Sequence, residues 1–157
     1  DFGGVVIGGA QGGGKTTAAT WVANARAEPW HCIHAADLLA MSRFGADDRQ
    51  ARAELYAHPL VIDDIGAEPA DAKGNFAADF DRLIDVFYAA MRPLILTTNL
   101  VKVVKKPDGT DEYPFVERYG KRAGDRLREC GRWHNIGGES LRKGSRPVVG
   151  DQRKAGT

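Results

Sequence analysis

Apolar residues along the chain fall into two spacings. Short runs at Val5-Val6-Ile7, Trp30-His31-Cys32-Ile33-His34, Leu60-Val61-Ile62 and Pro93-Leu94-Ile95-Leu96-Thr97 have the length and β-branched content of buried strands. Between them the pattern turns helical, over 16–26, which closes before Pro29, over 36–41, and over 47–56, which His58-Pro59 ends. Phe76, Phe80, Leu83, Ile84, Phe87 and Tyr88 recur at i, i+3 and i+4, so 76–91 is predicted as an amphipathic helix. The stretch 69–75 between strand and helix reads as a loop. Over 101–116 valines alternate with Lys102, Lys105 and Lys106 around the turn residues Pro107-Asp108-Gly109-Thr110, which predicts a projecting β-hairpin. A short helix at 124–129, a strand at 132–136 and a mobile tail from 142 complete the expectation. Strands alternating with helices make an α/β fold with a mainly parallel central sheet, whose ligands sit beyond the C-terminal strand ends.

That edge is where the chemistry-bearing residues fall. Directly after the first strand comes Gly9-Ala10-Gln11-Gly12-Gly13-Gly14-Lys15-Thr16-Thr17, with the spacing G-x-x-x-x-G-K-T. A glycine-rich turn feeding a helix turns successive backbone N–H groups onto phosphate oxygens, where side chains would block the approach. Lys15 is placed to reach the β- and γ-phosphates, and the Thr16 hydroxyl to ligate the Mg²⁺ that bridges them. The cofactors implied are ATP and Mg²⁺. Asp63 and Asp64 end the third strand: Asp63 is placed to hold Mg²⁺, and Asp64 to orient or deprotonate the attacking water, a short carboxylate with which a water or Glu68 shares that task. Asn99, after the fourth strand, can donate and accept at once and so position that water or sense the γ-phosphate. Three activities use such a set: ATP hydrolysis, phosphoryl transfer to a small acceptor, and a nucleotide-gated switch without useful turnover.

Charge and composition narrow this only in part. The net charge of +1 hides an asymmetry, since residues 1–101 carry 8 Lys/Arg against 13 Asp/Glu and the remainder 14 against 8. A basic C-terminal third beside a nucleotide site suits phosphates of nucleic acid or of ATP. The hairpin lysines read either as a contact to single-stranded DNA or as a solvated edge. Cys32 and Cys130 lack metal-ribbon spacing, which implies reduced thiols and a cytoplasmic setting. His31, Cys32 and His34 alternate across a strand and do not converge on one ion. No apolar run approaches the ~20 residues of a membrane span.

In chain order, Gly9 to Thr16, Val61-Ile62-Asp63-Asp64-Ile65-Gly66-Ala67-Glu68, Leu94-Ile95-Leu96-Thr97-Thr98-Asn99-Leu100, Gly124-Asp125-Arg126-Leu127 and Gly138-Glu139-Ser140-Leu141-Arg142 resemble the AAA+ ATPases of the DnaC/DnaI helicase-loader and IstB transposition-ATPase group. The resemblance implies a P-loop NTPase domain of AAA+ type over 1–143, with 144–157 as tail. It implies self-association into a ring or helical oligomer on DNA. Arg126 would then act as an arginine finger in the neighbour's site, and Arg142 as a nucleotide-contacting residue of its own chain. It further implies a replicative helicase or transposase as client, met through an N-terminal region expected to lie outside these residues. The group often carries Arg-Tyr where this chain has Phe87-Tyr88, so that arginine is absent or shifted, with Arg92 the nearest substitute.

Overall fold

The computed structural model describes residues 3–43, 47–69 and 75–137. Its first strand, β1 (Gly4–Gly9), is followed by α1 (Lys15–Asn24), β2 (His31–His34), α2 (Ala35–Arg43), α3 (Asp47–Leu55) and β3 (Leu60–Ile65). Then come α4 (Asn75–Ala89), β4 (Leu94–Thr98), β5 (Val104–Lys105), β6 (Asp111–Glu112), α5 (Pro114–Tyr119), α6 (Lys121–Cys130) and β7 (Gly131–Ile136). The main sheet has the order β2-β3-β4-β1-β7, and every neighbouring pair in it is parallel.

Strand periodicity sorts the core onto two faces. Val6, Leu60, Ile62, Leu94 and Leu96 point to one side, packed with Leu38 and Leu39 of α2, the apolar face of α4, and Phe115, Tyr119, Ala123 and Leu127 of α5 and α6. Ile7, Val61 and Ile95 point to the other, against Ala19 and Ala23 of α1. Because both faces are covered, the central strands read as continuous apolar runs without polar alternation. Leu83 and Phe87 of α4 are fully buried, and burying side chains of this size contributes about 1.5–3 kcal/mol each.

Two elements depart from expectation. The hairpin is shorter than 101–116: its ladder consists of Val104 opposite Glu112 and Lys105 opposite Asp111, closed by a turn with Gly109 at φ 82°. The segment expected to return as a strand starts α5 instead. Pro114 stands in its first turn, where a fixed φ suits a helix and the missing N–H costs nothing. Phe115 and Tyr119, one helical turn apart, close on Phe80 with ring centroids 6.2 and 4.8 Å from it. The helix expected at 124–129 is the longer α6. The tail beyond 137, most of the 69–75 loop and Arg142 lie outside the described residues. Among the described residues no helix is long and apolar enough to cross a membrane.

Candidate nucleotide site

The glycine run forms the turn between β1 and α1. Gly12 and Gly14 adopt φ 81° and 83°, in the left-handed region that favours glycine. A Cβ on Gly9 would lie 2.3 Å from the Ile136 carbonyl oxygen, so a side chain is excluded there. The Gly13 N–H donates to the Ala10 carbonyl at 3.2 Å, which tightens the turn. Gly14 is the N-cap of α1, no side chain caps the helix, and its first turn carries no acidic residue. The opening N–H groups of a helix need acceptors from outside it, and with the helix dipole they favour an anion. A cradle closed to side chains, an uncapped helix start and a lysine inside it fit a polyphosphate. Ala10 and Gln11 form the rim, and Thr17 is exposed on the first turn.

Lys15 is buried, 6% exposed. Its ammonium donates to the Ala10 carbonyl at 2.9 Å and to Asn99 Oδ1 at 2.8 Å. The same Asn99 lies with Nδ2 3.4 Å from Asp64 Oδ1. Thr16 donates to the Asp63 carboxylate, 2.9 Å from Oδ1 and 3.1 Å from Oδ2. Residues from the start of α1, the end of β3 and the exit of β4 therefore meet in one hydrogen-bonded group. A hydroxyl beside a carboxylate is the oxygen donor set that suits Mg²⁺, a hard cation that takes one or two protein carboxylates and keeps much of its water.

Asp64 sits at φ 58°, a left-handed conformation that costs a non-glycine residue about 1–2 kcal/mol. His34, at the end of β2, faces it with Nε2 3.7 Å from Asp64 Oδ2. The Ala36 N–H donates to His34 Nδ1 at 3.3 Å, so the neutral ring carries its proton on Nε2, toward the carboxylate. The other polar residues of β2 go elsewhere: the His31 ring lies 4.7 Å from that of His58. Partial burial, and then the Asp63 charge, push the Cys32 thiol up.

Glu68 does not join the site. Its side chain is 1% exposed and turns into the body, where it accepts from the Gly66 N–H at 2.8 Å, from Arg118 Nε at 2.9 Å and from the Tyr119 hydroxyl. Its role is to hold the β3 exit against α5, which corrects the expectation that it shares water activation. Burial, then the Glu68 carboxylate, push the Tyr119 phenol well above its ordinary value. Burial works to lower the Arg118 guanidinium, but its bond to Glu68 and the charges of Tyr119 and Glu68 together outweigh that and hold the group above its usual value.

Arg126 is on α6, away from the glycine turn. Its guanidinium pairs with Asp85 of α4 and lies 5.5 Å from the centroid of Tyr88. Arg122, one turn earlier, pairs with Asp81 at 3.5 Å and with Asp85. Arg92 is taken up by the Tyr56 carbonyl and the Phe87 ring, remote from the site. In the hairpin, Lys106 lies 3.2 Å from Glu112 and Lys105 3.9 Å from Asp111, so only Lys102 of the three lacks an ion pair among the described residues. A cavity of about 350 Å³, lined by Val6, Val103, Phe115 and Trp133 among others, lies on the face opposite α1 and is separate from the glycine turn.

The reading from sequence missed His34 beside Asp64, and the hydroxyls of Thr97 and Thr98 behind the carboxylates. Two threonines ahead of Asn99 at a buried strand end were the available signal for the latter. Nothing in the local pattern marked His34.

No family model matches the chain, and no curated protein matches it. Solved structures do. The crystal structure of the DnaC helicase loader superposes with TM-score 0.68 at 19% identity, covering 87% of this chain and 79% of that one. DnaI gives TM-score 0.66 at 19% identity over 87% and 71%. AMPPCP-bound DnaA from Aquifex aeolicus gives 0.53 at 19% identity over 84% and 39%. At these identities the likeness is one of fold: an α/β domain around a parallel sheet, built like those of DnaC and DnaI.

Proposed function

We propose, starting from the AAA+ fold shared with DnaC and DnaI, that this chain binds Mg·ATP and hydrolyses it. In this reading its nucleotide state controls assembly on DNA during the loading of a replicative helicase. The observation that carries the reading is the convergence of Lys15, Thr16, Asp63, Asp64 and Asn99 at adjacent strand ends. Lys15 exchanges its two oxygen partners for β- and γ-phosphate oxygens, whose greater charge makes the stronger acceptor. Thr16 and Asp63 would hold Mg²⁺, which supplies charge neutralisation of the phosphates. Asp64, oriented by Asn99 and His34, takes the proton of the attacking water or aligns it. Asn99 would contact the γ-phosphate through the second hydrogen of Nδ2, the other remaining on Asp64, while its Oδ1, released by Lys15, accepts from water.

The reading includes side-by-side assembly in which Arg126 completes the neighbour's site, offsetting charge as phosphate departs. Release from Asp85 is then part of assembly. Arg142 is proposed as a nucleotide contact on the expectation from sequence. DNA contact through the hairpin is supported by Lys102 alone, because the other two lysines are paired. The test is phosphate release measured against protein concentration: turnover per chain should rise with concentration in the wild type and stay flat in Arg126→Ala. Equal, concentration-independent rates in both would remove the shared-site reading. A second reading, a nucleotide switch with little turnover, draws on one feature. Asp64 is a short carboxylate engaged by His34 and Asn99, so binding of ATP without phosphate release above background, even with DNA, would favour it.

A further inference from the structure

A regular strand could not present Asp63 and Asp64 to one site, because neighbouring residues point to opposite faces. The register of β3 on β4 shows how both arrive. Ile62 pairs with Leu96 and Ile65 with Thr98, so two residues of β3 stand opposite a single residue of β4, a β-bulge. That single residue is Thr97. The Asp64 N–H donates to Thr97 Oγ1 at 2.9 Å, and the same hydroxyl donates to Asp63 Oδ1 at 2.5 Å. Thr97 is 0% exposed, so bulk water does not compete for its hydroxyl.

A hydroxyl both accepts and donates through one oxygen; valine has the same shape and offers neither. The flanking groups extend the arrangement. Thr98 donates to the Ile65 carbonyl at 2.6 Å and accepts from the Leu100 N–H at 3.0 Å, while the Glu68 carboxylate takes the Gly66 N–H. Residues 64, 65 and 66 are thus each tied by a side chain, and Asn99 follows on the same strand. The geometry points to Thr97 as the positioning residue of this site: its hydroxyl fixes the Asp63 carboxylate and the left-handed Asp64 backbone at once, so that both carboxylates face the phosphates. The functional half of this inference rests on the Mg·ATP reading; the structural half, that Thr97 holds the Asp64 amide, does not.

The test compares Thr97→Val with Thr97→Ser in the full chain by three readouts. The first is amide hydrogen exchange at Asp64 without ligand. The second is the Mn²⁺ dissociation constant with ADP, measured by electron paramagnetic resonance. The third is kcat and KM for ATP. Thr97→Val should speed exchange at Asp64 by about tenfold or more, since opening then lacks that bond. It should weaken Mn²⁺ by about 10–100-fold and lower kcat comparably, the usual effect of removing a group that orients a metal ligand. Nucleotide affinity in EDTA should stay unchanged. Thr97→Ser should remain within about twofold of wild type on every readout, because the hydroxyl is retained. The inference is overturned if Val leaves exchange and Mn²⁺ affinity at wild-type values, or if Ser loses as much as Val. Failure of the ATPase reading looks different: wild type then releases no phosphate, while the ligand-free exchange arm still separates Val from Ser.

Discussion

Replacing Glu68 by Ala removes the acceptor for three donors at once. The Gly66 N–H at 2.8 Å, Arg118 Nε at 2.9 Å and the Tyr119 hydroxyl would all be left facing a cavity. The carboxylate side chain is 1% exposed, while Arg118 is 31% exposed, so Arg118 regains some water and the other two donors little. Breaking one side of a buried charge pair costs about 3–5 kcal/mol, and partial exposure of the arginine argues for the lower end, about 3 kcal/mol. For a domain of 157 residues, each kcal/mol moves Tm by about 2–4 °C, which predicts a fall of about 6–12 °C in thermal unfolding followed by circular dichroism. A triple replacement, Glu68→Met with Arg118→Met and Tyr119→Phe, should recover part of the loss, because the two side-chain donors are then gone and only backbone groups, the Gly66 N–H among them, are left without their partner. A Glu68→Ala variant within about 1 kcal/mol of wild type in urea unfolding would refute the reasoning, since that is the scale of an exposed pair.

Other outcomes follow from the same geometry. Gly9→Ala, whose Cβ would stand 2.3 Å from the Ile136 carbonyl oxygen, should displace the glycine turn from β7 and abolish binding of a fluorescent ATP analogue in equilibrium titration. Tyr119, with its phenol raised first by burial and then by Glu68, should give stability that is complete below the ordinary tyrosine range. That stability is lost as pH rises past about 10, and Tyr119→Phe should flatten this alkaline slope in urea titrations. If the hairpin contacts single-stranded DNA, Lys102→Ala should reduce both affinity and the salt slope of binding by fluorescence anisotropy. Lys105→Ala and Lys106→Ala should then do less, because each lysine already faces a carboxylate.

Much of the fold was legible because the central strands are buried on both faces, and Leu60-Val61-Ile62 and Leu94-Ile95-Leu96 could be little else. The glycine turn was legible for a related reason: its residue types are imposed by backbone geometry at each position, as the φ of Gly12 and Gly14 shows. What sequence could not show is decided by distant partners. Phe115 and Tyr119 look as compatible with a strand as with a helix until Phe80 is placed beneath them. Glu68 follows two aspartates and resembles a third catalytic carboxylate; only Arg118 and Tyr119, some 50 residues away, reveal it as a buried tie. Likewise the lysines of 101–116 suggest a cationic patch, yet the hairpin sets Lys105 opposite Asp111 and brings Lys106 to Glu112. His34 became visible beside Asp64 only through the alignment of β2 on β3, which sets it opposite Asp63.

The central claim is that Lys15 and Thr16 at the start of α1 and Asp63 at the end of β3 form one Mg·ATP site. Equilibrium titration of a fluorescent ATP analogue into wild type and Asp63→Asn, each with Mg²⁺ and with EDTA, tests it most directly. Mg²⁺ should tighten binding to wild type by about tenfold or more, as expected when a carboxylate and a hydroxyl share the metal with phosphates, and should do little for Asp63→Asn. Binding to wild type that is indifferent to Mg²⁺, or a Mg²⁺ effect of equal size in both proteins, would contradict the account.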